Sequence, residues 1–191
     1  ATNRSTHVGS AIDTSTASGG QRTSAILNEV AKMVNAGRIT IPVDGTAYVA
    51  VYTDLPRGGA QYCAWHSTGT FSKPGSSTPV RVQFAFFWAL DGDPGCDPAD
   101  TSGLHSQGLA ALANVSGHEL AEAITDPRLN AWYDSSGAEN ADKCAWTFNV
   151  PLVRFPGGSQ WKIQGEWSNA AYTAGTGYAN RSGQKGCVDG H

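Results

Sequence analysis

The sequence predicts a single α+β domain built from a mixed β-sheet, a scaffold helix and a long second helix. Two observations carry this expectation. One segment of helical period, several of strand period and a second, longer helical run follow one another, without the regular alternation of a parallel α/β fold. The chain of 191 residues has the length of one domain, and a hydrophobic content of 40% with six Trp, six Tyr and six Phe supplies a sizeable core.

Taken in order, residues 1–20, ending Thr16-Ala17-Ser18-Gly19-Gly20, lack periodicity and read as a loose arm, which leaves 21–191 as the domain. From Thr23 to Asn35, Ile26, Leu27, Val30 and Val34 fall at helical spacing and Gly37 follows as a stop, the pattern of an amphipathic scaffold helix. Strand signals come next at Arg38–Ile41, at Ala47–Thr53 with Tyr48, Val49, Val51 and Tyr52, and at Gln61–Trp65 leading into a turn. A longer strand is expected over Val80–Leu90, with Val80, Val82, Phe84, Phe86 and Trp88 on one apolar face. The loop Asp91–Asp100 carries four Asp, but it lacks the central Gly and closing Glu of a calcium-binding loop and reads as a solvated turn. A long helix should begin at Thr101 or Ser102 and run to about Thr125, with Leu104, Gly108, Leu109, Leu112, Val115, Leu120 and Ile124 on its apolar side and Asp126-Pro127 ending it. The Gly-rich and aromatic remainder offers short strands at Pro151–Phe155 and Gln160–Gln164.

Composition narrows the function classes. Charged residues make up 15% of the chain, against about 25% on average. A formal charge of −3 with no block of Lys or Arg gives no footprint for nucleic acid, and no apolar run approaches the roughly 18 residues of a membrane span. Four cysteines, Cys63, Cys96, Cys144 and Cys187, are even in number, far apart and without a CxxC pair. Two disulfides are expected and, of the three connectivities, the sequential one, Cys63 to Cys96 and Cys144 to Cys187. Each such loop contributes about 4 kcal/mol on the chain-entropy model. Low charge, abundant Ser, Thr and Gly, and disulfides together indicate a secreted, extracellular protein, expected to be a monomer.

The chemistry gathers on the long helix at His118-Glu119-Leu120-Ala121-Glu122. His118 and Glu122 are four residues apart and share one helix face, so both can reach one metal ion. In the related pattern H-E-x-x-H the outer residues bind zinc and the inner Glu is the general base toward the water that zinc activates. Here Glu122 replaces the second His, an acceptable ligand that adds negative charge. Glu119 is accordingly the expected catalytic base, and a zincin-like architecture is expected around it. Asp126 stands eight residues beyond His118, drifted by about 80° and about 12 Å along the axis, and reads as a helix-end or outer group. Glu139 and Asp142 follow in a segment anchored by Cys144, three residues apart and on one face if that piece is helical. Either can complete a metal set of His118, Glu122 and a third carboxylate, with Asp142 ranked ahead of Glu139. Three of the five Glu fall between 119 and 139, where uniform scattering puts about 0.5.

Other residues are weaker candidates. His105 lies about 220° around the helix from His118 and reads as structural. His66, close to Cys63, is either an ordinary packed histidine or one that a disulfide-anchored loop delivers to the site. Tyr133 could donate to an oxyanion. No G-x-S-x-G elbow supports a serine nucleophile.

The run from His118 to Pro127, followed by Asn130-Ala131-Trp132-Tyr133-Asp134 and Glu139–Cys144, resembles bacterial and fungal members of the EXORDIUM or phosphate-induced protein family, and Tyr62-Cys63-Ala64-Trp65-His66-Ser67 resembles that family's upstream motif. The resemblance covers about half the chain and implies secretion and a cell-wall association. It does not by itself imply catalysis, which is read from His118, Glu119 and Glu122. The function expected is a secreted zinc metallopeptidase acting on protein or peptide substrates, although manganese or calcium also suits a His-plus-carboxylate set. The rival readings are a non-catalytic extracellular or carbohydrate-binding protein with Trp161, Trp167 and Tyr172 as platforms, and a purely structural metal closed by His118, Glu122, Glu139 and Asp142.

Overall fold

The structure is a computed structural model, and it describes residues 5–16 and 22–190. The arm expected over 1–20 is therefore seen at 5–16, where it is exposed and free of helix and strand; 1–4 and 17–20 lie outside the described residues. Lys32 donates to Asp13 at 2.8 Å and Arg38 to the Ile12 carbonyl at 3.1 Å, which lays the arm along the first helix.

Helix α1, Thr23–Asn35, has the expected bounds and buries Ile26, Val30 and Val34. The strand expected at Arg38–Ile41 does not form. The backbone N–H groups of Gly37, Arg38 and Ile39 close the helix end on Val34 and Met33, which leaves them unavailable to a sheet. Strands β1 (Asp44–Pro56), β2 (Ala64–Ser72) and β3 (Pro79–Ala89) form a mixed sheet in the order β1-β3-β2, with β3 parallel to β1 and antiparallel to β2. β2 extends well past the expected Trp65, through a Ser/Thr/Gly stretch of weak strand signal. Gly69 has a packing role there: a Cβ at that position would stand 2.5 Å from the Leu27 side chain of α1.

Only one apolar face was expected of β3, yet Val82, Phe84, Ala85, Phe86 and Phe87 are all fully buried. Both faces are covered. Val82, Phe84 and Phe86 share a face with Gly69, Ser67 and Trp65 of β2, and hence with α1. Ala85 and Phe87 share the other with His66 of β2 and with Ala50 and Tyr52 of β1, and the Tyr52 hydroxyl lies 2.9 Å from Ser116 Oγ of the second helix. The sheet is thus a middle layer, and His66 points to the side on which the long helix lies.

That helix, α2, spans Gln107–Thr125. It starts later than Thr101 or Ser102 because side chains hold the preceding residues in turns: Asp100 accepts from the Ser102 N–H at 2.9 Å and Ser102 from the Leu104 N–H at 3.2 Å. Ser106 is the N-cap. The face that α2 buries also differs from the expected one. Leu104 and Leu109 are exposed, whereas Gly108, Ala111, Asn114, Val115, Glu119 and Glu122 are inside. Small residues let the helix approach the sheet closely, so its two carboxylates enter the interior.

Both expected disulfides are present, Cys63–Cys96 and Cys144–Cys187. The second staples an irregular C-terminal part that packs on Cys144, Trp167 and Cys187. It contains the pair β4 (Val153–Arg154) and β5 (Gln160–Trp161), a sheet of β6 (Glu166–Trp167), β8 (Lys185–Val188) and β7 (Tyr178–Ala179), and the short helix α3, Asn169–Ala174. No helix among the described residues is long and apolar enough to cross a membrane.

Candidate metal centre

The centre of the site is the Glu122 carboxylate, on the buried stripe of α2. His118, one helical turn earlier, places Nε2 at 3.1 Å from Glu122 Oε1. The segment after α2 turns back to bring Asp142 Oδ1 to 3.5 Å from the same nitrogen. At a metal–ligand distance of about 2.1 Å, two ligands of a tetrahedral set stand about 3.4 Å apart. His118, Glu122 and Asp142 therefore converge at the spacing of a shared ion, with all three ligand atoms within 4.8 Å of one another.

The returning segment is held by several independent ties. It is a single 3-10 turn, Asp142–Cys144, and not the helix that would have put Glu139 and Asp142 on one face. The Asp142 N–H donates to Glu122 Oε1 at 3.2 Å, Thr125 Oγ1 donates to Asn140 Oδ1 at 3.1 Å, and the Trp167 N–H donates to the Asn140 carbonyl at 3.0 Å. Lys143 bonds Asp134 at 2.8 Å with its ammonium over the Trp167 ring. In this turn the two candidates separate. Asp142 faces His118, while Glu139 Oε2 lies 2.9 Å from His66 Nε2.

His66 comes from β2, on the sheet face toward α2, three residues after the Cys63 staple. Its Nε2 also lies 3.5 Å from Glu122 Oε2. His66, Glu119 and Glu122 form a second group whose ligand atoms all lie within 4.8 Å. Of the two readings open for His66, the structure brings it into the site.

Electrostatics follow from burial. Glu119 is 5% exposed. Burial pushes its carboxyl up to about 8, with His118 pulling the other way and Glu122, Asp142 and Glu139 adding repulsion. Burial likewise raises Glu139 against the pull of His66. His118 is desolvated, which disfavours its charge, but Asp142 and Glu122 outweigh this and hold it well above the ordinary imidazole range. Asp142 is held below its ordinary value by the same His118 contact.

Sequence reasoning missed two residues. Glu166, on β6, is half-buried with its Oε2 enclosed, and desolvation pushes its carboxyl up to about 8 within the field of His118, Glu122 and Asp142. Gln164 spans the site: its amide nitrogen donates to the Ala141 carbonyl at 2.8 Å and lies 3.2 Å from His118 Nδ1, and its oxygen accepts from the Trp146 N–H at 3.2 Å. The scarcity of Glu was the available signal for Glu166, since four of the five in the chain, all but Glu29, meet here. Tyr48, on the α2 side of β1, has a buried hydroxyl with no hydrogen-bond partner, and Glu119 and Glu122 lie within its electrostatic reach.

Other expected residues lie as follows. Asp126 accepts from the Asn130 and Ala131 N–H groups at 2.6 and 2.9 Å, the helix-end role expected of it. His105 stacks on Trp161 at 3.6 Å and bonds the Gln160 carbonyl. Tyr133 is exposed, and Trp167 is buried and offers no platform. In the Asp-rich loop, Asp93 pairs with Arg57 at 2.6 Å and Asp97 accepts from the Ala99 N–H at 2.7 Å, so these carboxylates are taken up by the turn itself.

No protein-family model, curated protein or solved structure matches this chain. The candidate metal site thus rests on its own geometry.

Proposed function

We propose that the chain is a secreted, zinc-dependent hydrolase of the HExxE type acting on peptide bonds. The observation that carries the reading is the convergence of His118 Nε2, Glu122 Oε1 and Asp142 Oδ1 at ion-sharing distances, with the buried Glu119 beside them. One imidazole and two carboxylates suit zinc, and a divalent cation in such a site supplies Lewis acidity toward a carbonyl and acidifies water. The donor set fits a cation on a further count. The carboxylates of Glu119, Glu122, Glu139, Asp142 and Glu166 meet here, and among the described residues the ion pairs of Lys and Arg all go to other acids.

Each residue then has a stated task. His118 and Glu122 fix the position from one rigid helix, and Asp142 closes it from the stapled turn. Glu119 accepts a proton from water at its carboxylate oxygen and passes it to the leaving amine. Positive charge nearby favours the ionised form that this needs. β2, an outer strand of the three-stranded sheet, adjoins the carboxylates through His66, and an extended peptide is a natural occupant beside such a strand. The two disulfides support the extracellular assignment.

The test is metal analysis and cleavage of a labelled unfolded protein, before and after dialysis against chelator. Zinc should be bound, chelation should stop cleavage, and Glu119→Gln should lose cleavage by at least 100-fold, on the order expected for a general base, while the ion at His118 stays. Cleavage that survives in Glu119→Gln would sink the mechanism.

A further inference from the structure

We propose that the site holds two divalent cations, bridged by the Glu122 carboxylate, with His118 and Asp142 on one ion and His66, Glu139 and Glu119 on the other. This rests on reading His118, Glu122 and Asp142 as a metal centre, and it adds a second position that the motif does not contain.

The geometry is two-sided. Glu122 directs Oε1 to His118 Nε2 at 3.1 Å and Oε2 to His66 Nε2 at 3.5 Å. Each imidazole also faces a carboxylate of its own, His118 toward Asp142 at 3.5 Å and His66 toward Glu139 at 2.9 Å. Edges between neighbouring ligands of a four- to six-coordinate ion at about 2.1 Å run from about 3.0 to about 3.4 Å. Both halves fall near that range, and one carboxylate spans them as bridging ligands do in sites whose ions are about 3.5–4 Å apart.

A second observation is independent of the spacing. Glu119, more than nine-tenths buried, belongs to the group formed with His66 and Glu122 and feels the charges of Glu122, Asp142 and Glu139. Glu139 keeps Oε1 buried and without a partner while Oε2 meets His66. Buried carboxylate oxygens are costly unless something takes their charge. One dication against five carboxylates leaves a large excess of negative charge, and two bring the set close to neutrality. Glu119, bound through one oxygen, keeps the other for a proton.

Zinc titration of the chelator-treated protein, followed by elemental analysis after desalting, is the test. The wild type should retain two zinc ions per chain, His66→Ala and Glu139→Gln one, and Glu122→Ala none, with circular dichroism confirming that each variant is folded. A manganese-loaded sample should give the exchange-coupled electron paramagnetic resonance spectrum of a pair, lost in His66→Ala. One ion in the wild type, unchanged in His66→Ala, would overturn the second position and leave the single-ion reading intact. No ion at all would overturn both.

Discussion

The Gln164 side chain lies against His118, with its amide nitrogen 3.2 Å from Nδ1, and is itself clamped by the Ala141 carbonyl and the Trp146 N–H. The amide packed against the far nitrogen limits the swing of the ring, and with an ion on Nε2 the Nδ1 proton would be met by the Gln164 oxygen after an amide flip, so Gln164 acts as a positioning residue. Gln164→Ala should weaken zinc affinity by about 10–100-fold, the usual effect of losing such an outer partner. Isothermal titration of the two proteins at one pH checks this; equal affinities would remove the role.

The metal-free protein should lose stability as pH rises from 5 to 8. Glu119 and Glu166 have folded values pushed up to about 8 by burial, against an ordinary 4.5, so the folded chain holds protons that the unfolded chain has released. Their contribution is present at low pH and disappears on the way to 8, on the order of 4 kcal/mol for Glu119 alone. His118, raised above its ordinary value, acts in the same direction, being lost as pH climbs through the raised value. Asp142, depressed, acts only in more acid solution, where its contribution falls as pH falls. Urea melts at pH 5 and 8 measure the slope, and Glu119→Gln should flatten it.

Zinc should offset part of that loss. At a free concentration about 100 times Kd, one bound ion contributes about 2.7 kcal/mol, or about 5–10 °C in Tm for a chain of this size. Scanning calorimetry with and without chelator at pH 8 should show the gap, and a Tm indifferent to metal would count against the site.

Removing the Cys144–Cys187 bridge as a Ser/Ser pair should cost about 2–5 kcal/mol. It should also weaken zinc binding, because Cys144 closes the same turn that begins at Asp142. The proper control is a core variant of equal instability far from the site, such as Val30→Ala on α1, which should leave affinity unchanged.

Gly165→Ala should disturb the site without touching a ligand. A Cβ there would come within 2.5 Å of the Val188 carbonyl oxygen, a backbone atom that cannot step aside. The strain should lower stability by about 1–3 kcal/mol and displace Gln164 and Glu166, its chain neighbours. Thermal melts with zinc titration test both parts.

Local pattern carried much of this. The i,i+4 pair of His118 and Glu122, the bounds of α1 and the sequential disulfides were legible, because each depends on spacing along the chain. What was not legible depends on tertiary placement. The Leu residues of α2 suggested a buried face that the helix does not use in full, since Leu109 is exposed while Ala111, Asn114, Glu119 and Glu122 are inside. Which carboxylate meets which imidazole followed from a tight turn where a helix was expected. Glu166 arrives on a strand of two residues and Gln164 from the loop just before it, both too short of pattern to announce themselves in sequence.

The candidate ligands come from β2, α2 and the turn at Asp142, so the set is complete only in the folded chain. Metal loading should therefore accompany folding, and the Cys144–Cys187 bridge steadies the turn that supplies Asp142. Oxidation and metal affinity are thereby coupled: the reduced chain should hold an ion less tightly than the oxidised one, whatever the local supply of metal.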